Sequence, residues 1–144
     1  MTATDDSLTM HPVIESVMIR RVLKGEVVES ELLVGFTPAP PGGRALLAIG
    51  EGWMSRKQCF KHFATYEVGE VPMGDGRQFV LHRDPEAVER ERQREGTAAP
   101  FYFVTYLRSG QVECDCFGKA ATERIGHECK HAATVRHLLA TGNL

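Results

Sequence analysis

No stretch of this chain approaches the ~18 apolar residues needed to cross a membrane. Its opening, MTATDDSLTMHP, has neither the basic region nor the apolar core of a secretory leader. A soluble, cytoplasmic protein with no membrane partner is therefore expected. Lysine and arginine number 17 against 19 aspartates and glutamates, so the basic excess of a tight non-specific nucleic-acid binder is missing. The phosphate-loop pattern G-x-x-x-x-G-K-[ST] is absent, as are a nucleophile with a plausible base and paired carboxylates in a recognisable setting. These absences lead us to expect a protein that is not an enzyme and takes no small-molecule substrate. With 144 residues the chain has room for one modest core, which excludes a large multi-domain enzyme.

Cysteine is also scarce, at four residues, but its distribution is uneven. Three of the four, with two of the six histidines, fall in QVECDCFGKAATERIGHECKH, residues 111–131. In a reducing compartment such a cluster points to metal binding or redox chemistry more than to structural disulfides.

The rest of the chain divides by composition. Residues 1–12 read as a disordered N-terminus and 13–84 as a β-rich region. Within that region, residues 13–24 mix short apolar runs with charges, Val27 to Phe36 reads as a strand, and TPAPPGG (37–43) is a loop by its prolines and glycines. RALLAIG follows as a strand. MSRKQCFKHFATYEV could begin as a helix capped by Ser55, with Cys59, Phe60 and Phe63 as its apolar stripe, before becoming extended. Two strands then flank a turn at MGDG. Residues 85–99 form a highly charged connector, a solvated helix or mobile linker ending at Gly96, and 100–144 form the C-terminal unit.

In that last unit FYFVTYL is aromatic and β-branched, RSGQ supplies a turn, and VECDC continues as a partner strand. From Cys129 the period changes: His131, Val135, Leu138 and Leu139 share one helical face, and Gly142 is the natural stop. Residues two apart on a strand project to the same side, so Cys114 and Cys116 can reach one ion while Asp115 points away. On a helix they would diverge by about 200°. Cys129 and His131 stand where the helix begins, and the ring of His131 should face the hairpin. Three thiolates and an imidazole suit one tetrahedral Zn2+. With four protein ligands the ion has no open position, so its role is structural. His127 is a rival to His131, and Cys59 with His62 has ligand-like spacing but no second half-site. His137 reads as a surface histidine, and Asp115 and Glu128 as solvated neighbours of the site.

C-x-C, twelve residues, then C-x-H, after an aromatic strand and before an apolar helix, resembles the SWIM zinc finger over roughly residues 100–140. The resemblance implies a ββα finger with Cys114, Cys116, Cys129 and His131 as zinc ligands. Members of that family are taken to bind nucleic acid or other proteins. The expected fold is thus α+β, a mostly β N-terminal half followed by a SWIM-like finger. One expected function is DNA binding, with Lys119, Arg124, Lys130 and Arg136 on phosphates and Arg20, Arg21 and Lys24 extending the surface. The alternative is a zinc-stabilised protein-interaction or adaptor module, with Tyr102, Tyr106 and Phe117 as candidate contact residues. Lys119, Arg124 and Lys130 could equally donate hydrogen bonds to the sulfurs.

Overall fold

The computed structural model describes residues 14–23, 25–51, 63–116 and 129–144. The expected disordered start and the expected helix after Ser55, with Cys59 and His62, lie outside these residues. Seven strands and two helices follow in the order β1 (Ile14–Leu23), β2 (Glu26–Thr37), β3 (Ala45–Glu51), β4 (Ala64–Val71), β5 (Arg77–Arg83), α1 (Pro85–Glu95), β6 (Phe101–Tyr106), β7 (Val112–Cys114) and α2 (Lys130–Ala140). The fold is α+β, as the sequence led us to expect.

All seven strands form one antiparallel meander, each paired with the next in sequence. Alternation sets the register. Val17 lies opposite Leu32, Leu47 opposite Tyr66, Val68 opposite Leu81, Phe79 opposite Val104, and Val104 opposite Cys114. These residues share one face and form a continuous buried cluster with Ala132, Ala133, Val135 and Leu138 of α2. A slip of one residue anywhere in the ladder would turn that strand's apolar set to the outside, so burial locks the pairing. Helix α2 touches β1 at one end of the sheet and β6 and β7 at the other. An open flat sheet could not bring its first and last strands to one helix. The sheet is therefore curled into a half-barrel around α2, the sense in which right-handed strand twist accumulates.

Strand β2 spans one residue more at each end than Val27 to Phe36, and the MGDG turn joins β4 to β5 as expected. Gly76 in that turn has φ +84°, and a Cβ there would lie 2.1 Å from the Tyr106 carbonyl oxygen, so the position excludes a side chain on two counts. Strand β1 was not anticipated from the sequence. Val17 and Ile19 are buried while Met18 and Arg20 are exposed, an alternation that the paired charges Arg20-Arg21 obscure.

The charged stretch after β5 takes the helical alternative. The Asp84 side chain accepts a hydrogen bond from the Ala87 N–H at 3.1 Å, Pro85 fits the first turn, and Gly96 ends the helix in the left-handed region with its N–H on the Arg92 carbonyl. No residue of α1 is buried. It is held instead by Arg83, which pairs with Glu91 at 2.7 Å and donates to the Ala99 carbonyl at 2.8 Å. Its guanidinium stands 5.5 Å from the centroid of the Tyr102 ring. Arg83→Ala should therefore cost about 1–2 kcal/mol, since charge-assisted bonds at a partly buried site are lost. Urea unfolding would read this as a lower midpoint with an unchanged slope.

Candidate metal centre

The site assembles where the β6–β7 hairpin meets the first turn of α2. Cys114 ends β7 on the core face and is only 3% exposed. The Asp115 N–H donates to the Phe103 carbonyl at 3.1 Å, and the Phe103 N–H donates to Asp115 Oδ1 at 2.8 Å. Asp115 is thus fixed on the outer side of the strand, and Cys116 returns to the side of Cys114. The aspartate is exposed, yet it is a strut of the C-x-C segment rather than a mere solvated neighbour.

Cys129 is the N-cap of α2, with extended φ and ψ, and its carbonyl accepts the first helical hydrogen bond from the Ala133 N–H at 3.0 Å. Its side chain makes no capping bond, so the sulfur is available to the cluster. His131 follows at 5% exposure. The ligand atoms of Cys114, Cys116, Cys129 and His131 all lie within 4.8 Å of one another. Cys116 Sγ and Cys129 Sγ are 3.3 Å apart, while His131 Nδ1 lies 3.7 Å from Cys114 Sγ and 3.6 Å from Cys129 Sγ. This Cys3His set is capable of coordinating a single metal ion.

The two nitrogens of His131 have different tasks. Nδ1 faces the sulfurs, whereas Nε2 lies 3.1 Å from Tyr66 Oη in the buried interior. With Nδ1 as ligand, Nε2 carries the proton and donates it to the phenol oxygen, which fixes tautomer and ring orientation together. The Tyr66 ring meets the imidazole edge-on at 5.6 Å, and the Tyr102 ring packs against it at 4.6 Å. Burial first, then the neighbouring Tyr102, raises the Tyr66 phenol above its ordinary pKa, so it is a neutral partner. Tyr66 is the member of the site that the motif did not reveal. Its only signal was a phenol on the core face of a strand, and a buried hydroxyl requires a partner.

The thiols strain against each other electrostatically. Hydrogen bonds from Cys114 and Cys116 hold the Cys129 thiol far below its ordinary range. Cys114 is pushed up by its hydrogen bonds to Cys116 and Cys129 and by burial. The Cys116 thiolate is favoured by its bond to Cys114, but the bond to Cys129, burial and the Cys129 charge push it up to about 11.

The other expected residues, where described, are dispersed. Lys130 opens α2 and Arg136 is exposed on it, six positions on, so the two stand about 120° apart around the helix. Lys119, Arg124, His127, Glu128 and Phe117 lie outside the described residues, as does Lys24. Tyr102 belongs to the wall of the site and Tyr106 is half-buried. His137 is not a simple surface histidine: its side chain is 25% exposed and its Nε2 lies 3.2 Å from Glu15 Oε1, tying α2 to β1. The curl of the sheet, which brings β1 to the helix, is the reason. Arginines elsewhere are engaged with carboxylates, in the pairs Arg44–Glu67, Arg77–Glu70, Arg83–Glu91, Arg92–Glu89, Arg94–Glu95 and Arg108–Asp75. Among the described residues no helix is long and apolar enough to cross a membrane.

Comparison of the chain with protein-family models, curated proteins and solved structures finds no match.

Proposed function

We propose that this is a zinc-stabilised protein-interaction module. The observation that carries the reading is the closed Cys3His set, with Cys114 and His131 buried and Cys116 and Cys129 half-buried. Zinc bonded to sulfur at ~2.3 Å and to nitrogen at ~2.0–2.1 Å in a tetrahedron requires S···S near 3.8 Å and S···N near 3.6 Å. Separations of 3.3, 3.6 and 3.7 Å match that scale. Soft thiolates with one imidazole favour Zn2+ over harder ions, and four protein donors leave no position for a water or substrate. The ion's role is then structural rather than catalytic. Reduced thiols of this kind suit a cytoplasmic setting.

Loading the metal-free protein with Zn2+ near pH 7.5 should release protons, because the Cys114 and Cys116 thiols are raised and must lose their protons to become ligands. Zinc affinity should accordingly fall as pH falls, because protons then compete for two raised thiols. A pH-stat titration reads the first effect directly. Release of no protons would contradict the assignment of the thiolates as ligands.

A protein partner is favoured over DNA by charge. The described arginines are mostly neutralised by carboxylates, and Lys130 with Arg136 does not make one basic stripe. Nucleic-acid binding, which the resemblance to the SWIM finger implies, would then fall to Lys119 and Arg124 with Lys130 and Arg136. Fluorescence anisotropy with duplex and single-stranded DNA separates the two readings. We expect no saturable binding at micromolar protein in 50 mM salt; binding that weakens steeply and log-linearly with salt would instead establish the DNA reading.

A further inference from the structure

The three clustered sulfurs are not equally placed. Cys114 is 3% exposed, whereas Cys116 and Cys129 are half-buried, so two of the three are within reach of a small solute. Those two sulfurs stand 3.3 Å apart. We infer that Cys116 and Cys129 form an oxidation site, joined as an intramolecular disulfide by a hydroperoxide such as hydrogen peroxide, and that this modification unloads the metal. The inference rests on the reading of the cluster as a zinc site and adds its regulation.

Position in the fold separates this pair from Cys114. Cys114 is the last residue of β7, lies opposite Val104 and packs within the buried apolar cluster, so its sulfur is held by the sheet and shielded from solutes. Asp115 ties the chain to Phe103 twice, through its own N–H and through Oδ1. Cys116 is the first residue beyond that tether, and Cys129 precedes the first helical residue of α2. Neither is locked into a strand ladder. Closing their separation to the ~2.05 Å of a disulfide needs a movement of about 1 Å, shared between the two side chains. Reactivity toward peroxide follows thiolate character and exposure, and it becomes reversible where a second thiol stands by to resolve the product. Cys129 has the first property: its sulfur lies at the N-terminus of an eleven-residue helix, which favours a thiolate, and makes no capping bond. Cys116 supplies the second.

The Cys129 thiolate attacks one oxygen of hydrogen peroxide; an S–O bond forms, the O–O bond breaks and hydroxide leaves, so that Cys129 becomes a sulfenic acid. The Cys116 thiolate then attacks the Cys129 sulfur; the S–S bond forms, the S–O bond breaks and a second hydroxide leaves. Two protons from solvent turn the hydroxides into water. The two sulfurs thus supply the two electrons that reduce the peroxide. Of the four donors only Cys114 and His131 remain, and two donors do not make the closed tetrahedral site that holds Zn2+. Without the shared ion the first turn of α2 is no longer tied to the β6–β7 hairpin. A thiol reductant restores both cysteines by exchange and with them the complete donor set.

The test treats the full, zinc-loaded chain with increasing hydrogen peroxide, follows zinc release with a colorimetric chelator, and maps disulfides by digestion and mass spectrometry. One Cys116–Cys129 disulfide should form for each zinc released, with Cys114 still open to alkylation after unfolding. Dithiothreitol with added zinc should reverse both changes. In Cys116→Ser, dimedone should trap a sulfenic acid on Cys129 in at least about tenfold greater yield than on Cys114. A main product that engages Cys114 or Cys59, or that links two chains, would overturn the proposal. So would zinc retained after the disulfide has formed, or thiols carried to sulfinic acid with no disulfide. A Cys116–Cys129 disulfide formed in protein that takes up no zinc would uphold the modification site while removing the zinc reading, so the two can fail separately.

Discussion

Cys114→Ser should reduce zinc from about one to below about 0.2 per chain and lower global stability by more than about 4 kcal/mol. Cys114 is a member of the core and a ligand at once: it packs opposite Val104 and contributes a sulfur to the cluster. Serine nearly preserves shape but supplies a hydroxyl where the ion requires a thiolate. It also buries a polar group, worth about 1–3 kcal/mol by itself when unpartnered. The larger loss is the metal. Apparent zinc-binding free energies reach about 10–16 kcal/mol in finger peptides, although here the sheet's own apolar core offsets part of the dependence. Equilibrium unfolding at fixed free zinc, with and without chelator, would measure the change. Amide exchange should show the first turn of α2 losing protection before β2 to β5. If the variant cost only ~1–2 kcal/mol and chelator left the parent protein unaltered, the cysteine would be a core residue and no more. His127→Ala, by contrast, should retain one zinc per chain.

A second variant should weaken the metal without removing any ligand. Tyr66→Phe deletes the oxygen to which His131 Nε2 donates at 3.1 Å and keeps the ring that packs in the core. Loss of such an orienting partner typically costs 10- to 100-fold in metal affinity, or about 1.4–2.8 kcal/mol at 1.4 kcal/mol per tenfold. Competition against a zinc chelator would give the affinity, and nitrogen chemical shifts of the imidazole would report the tautomer. The prediction is a mixed tautomer in the metal-free variant where the parent has one. Unchanged affinity with an unchanged tautomer would show that the phenol merely occupies space. The effect is informative because Tyr66 belongs to β4, far from the cysteines in sequence. Its hydrogen bond makes the coordination geometry depend on the sheet.

The local half of this design is legible in the sequence because it follows two short periods. The alternation of Cys114 and Cys116 and the helical repeat from His131 to Leu138 are visible over a few residues, and so is the turn at MGDG. Gly96 likewise marks the end of α1 by requiring left-handed backbone. What the sequence conceals is non-local. Nothing near Glu15 indicates that the sheet curls far enough for β1 to meet His137, so that histidine read as a surface residue. Nothing around Tyr66 in the sequence marks it as a member of the site, because its partner His131 enters from α2. Arg83, within a run of charged residues, gave no sign that it would fasten a helix with no buried side chain of its own. Strand β1 was hidden by adjacent arginines that disrupt its visible alternation.

The most direct test of the central claim is elemental analysis of the full chain purified without added metal, coupled to a colorimetric assay of zinc released by thiol modification. The account predicts about one zinc per chain, released as the three clustered cysteines are modified. Protein free of zinc, with thiols that react freely and a fold that chelator leaves untouched, would contradict it.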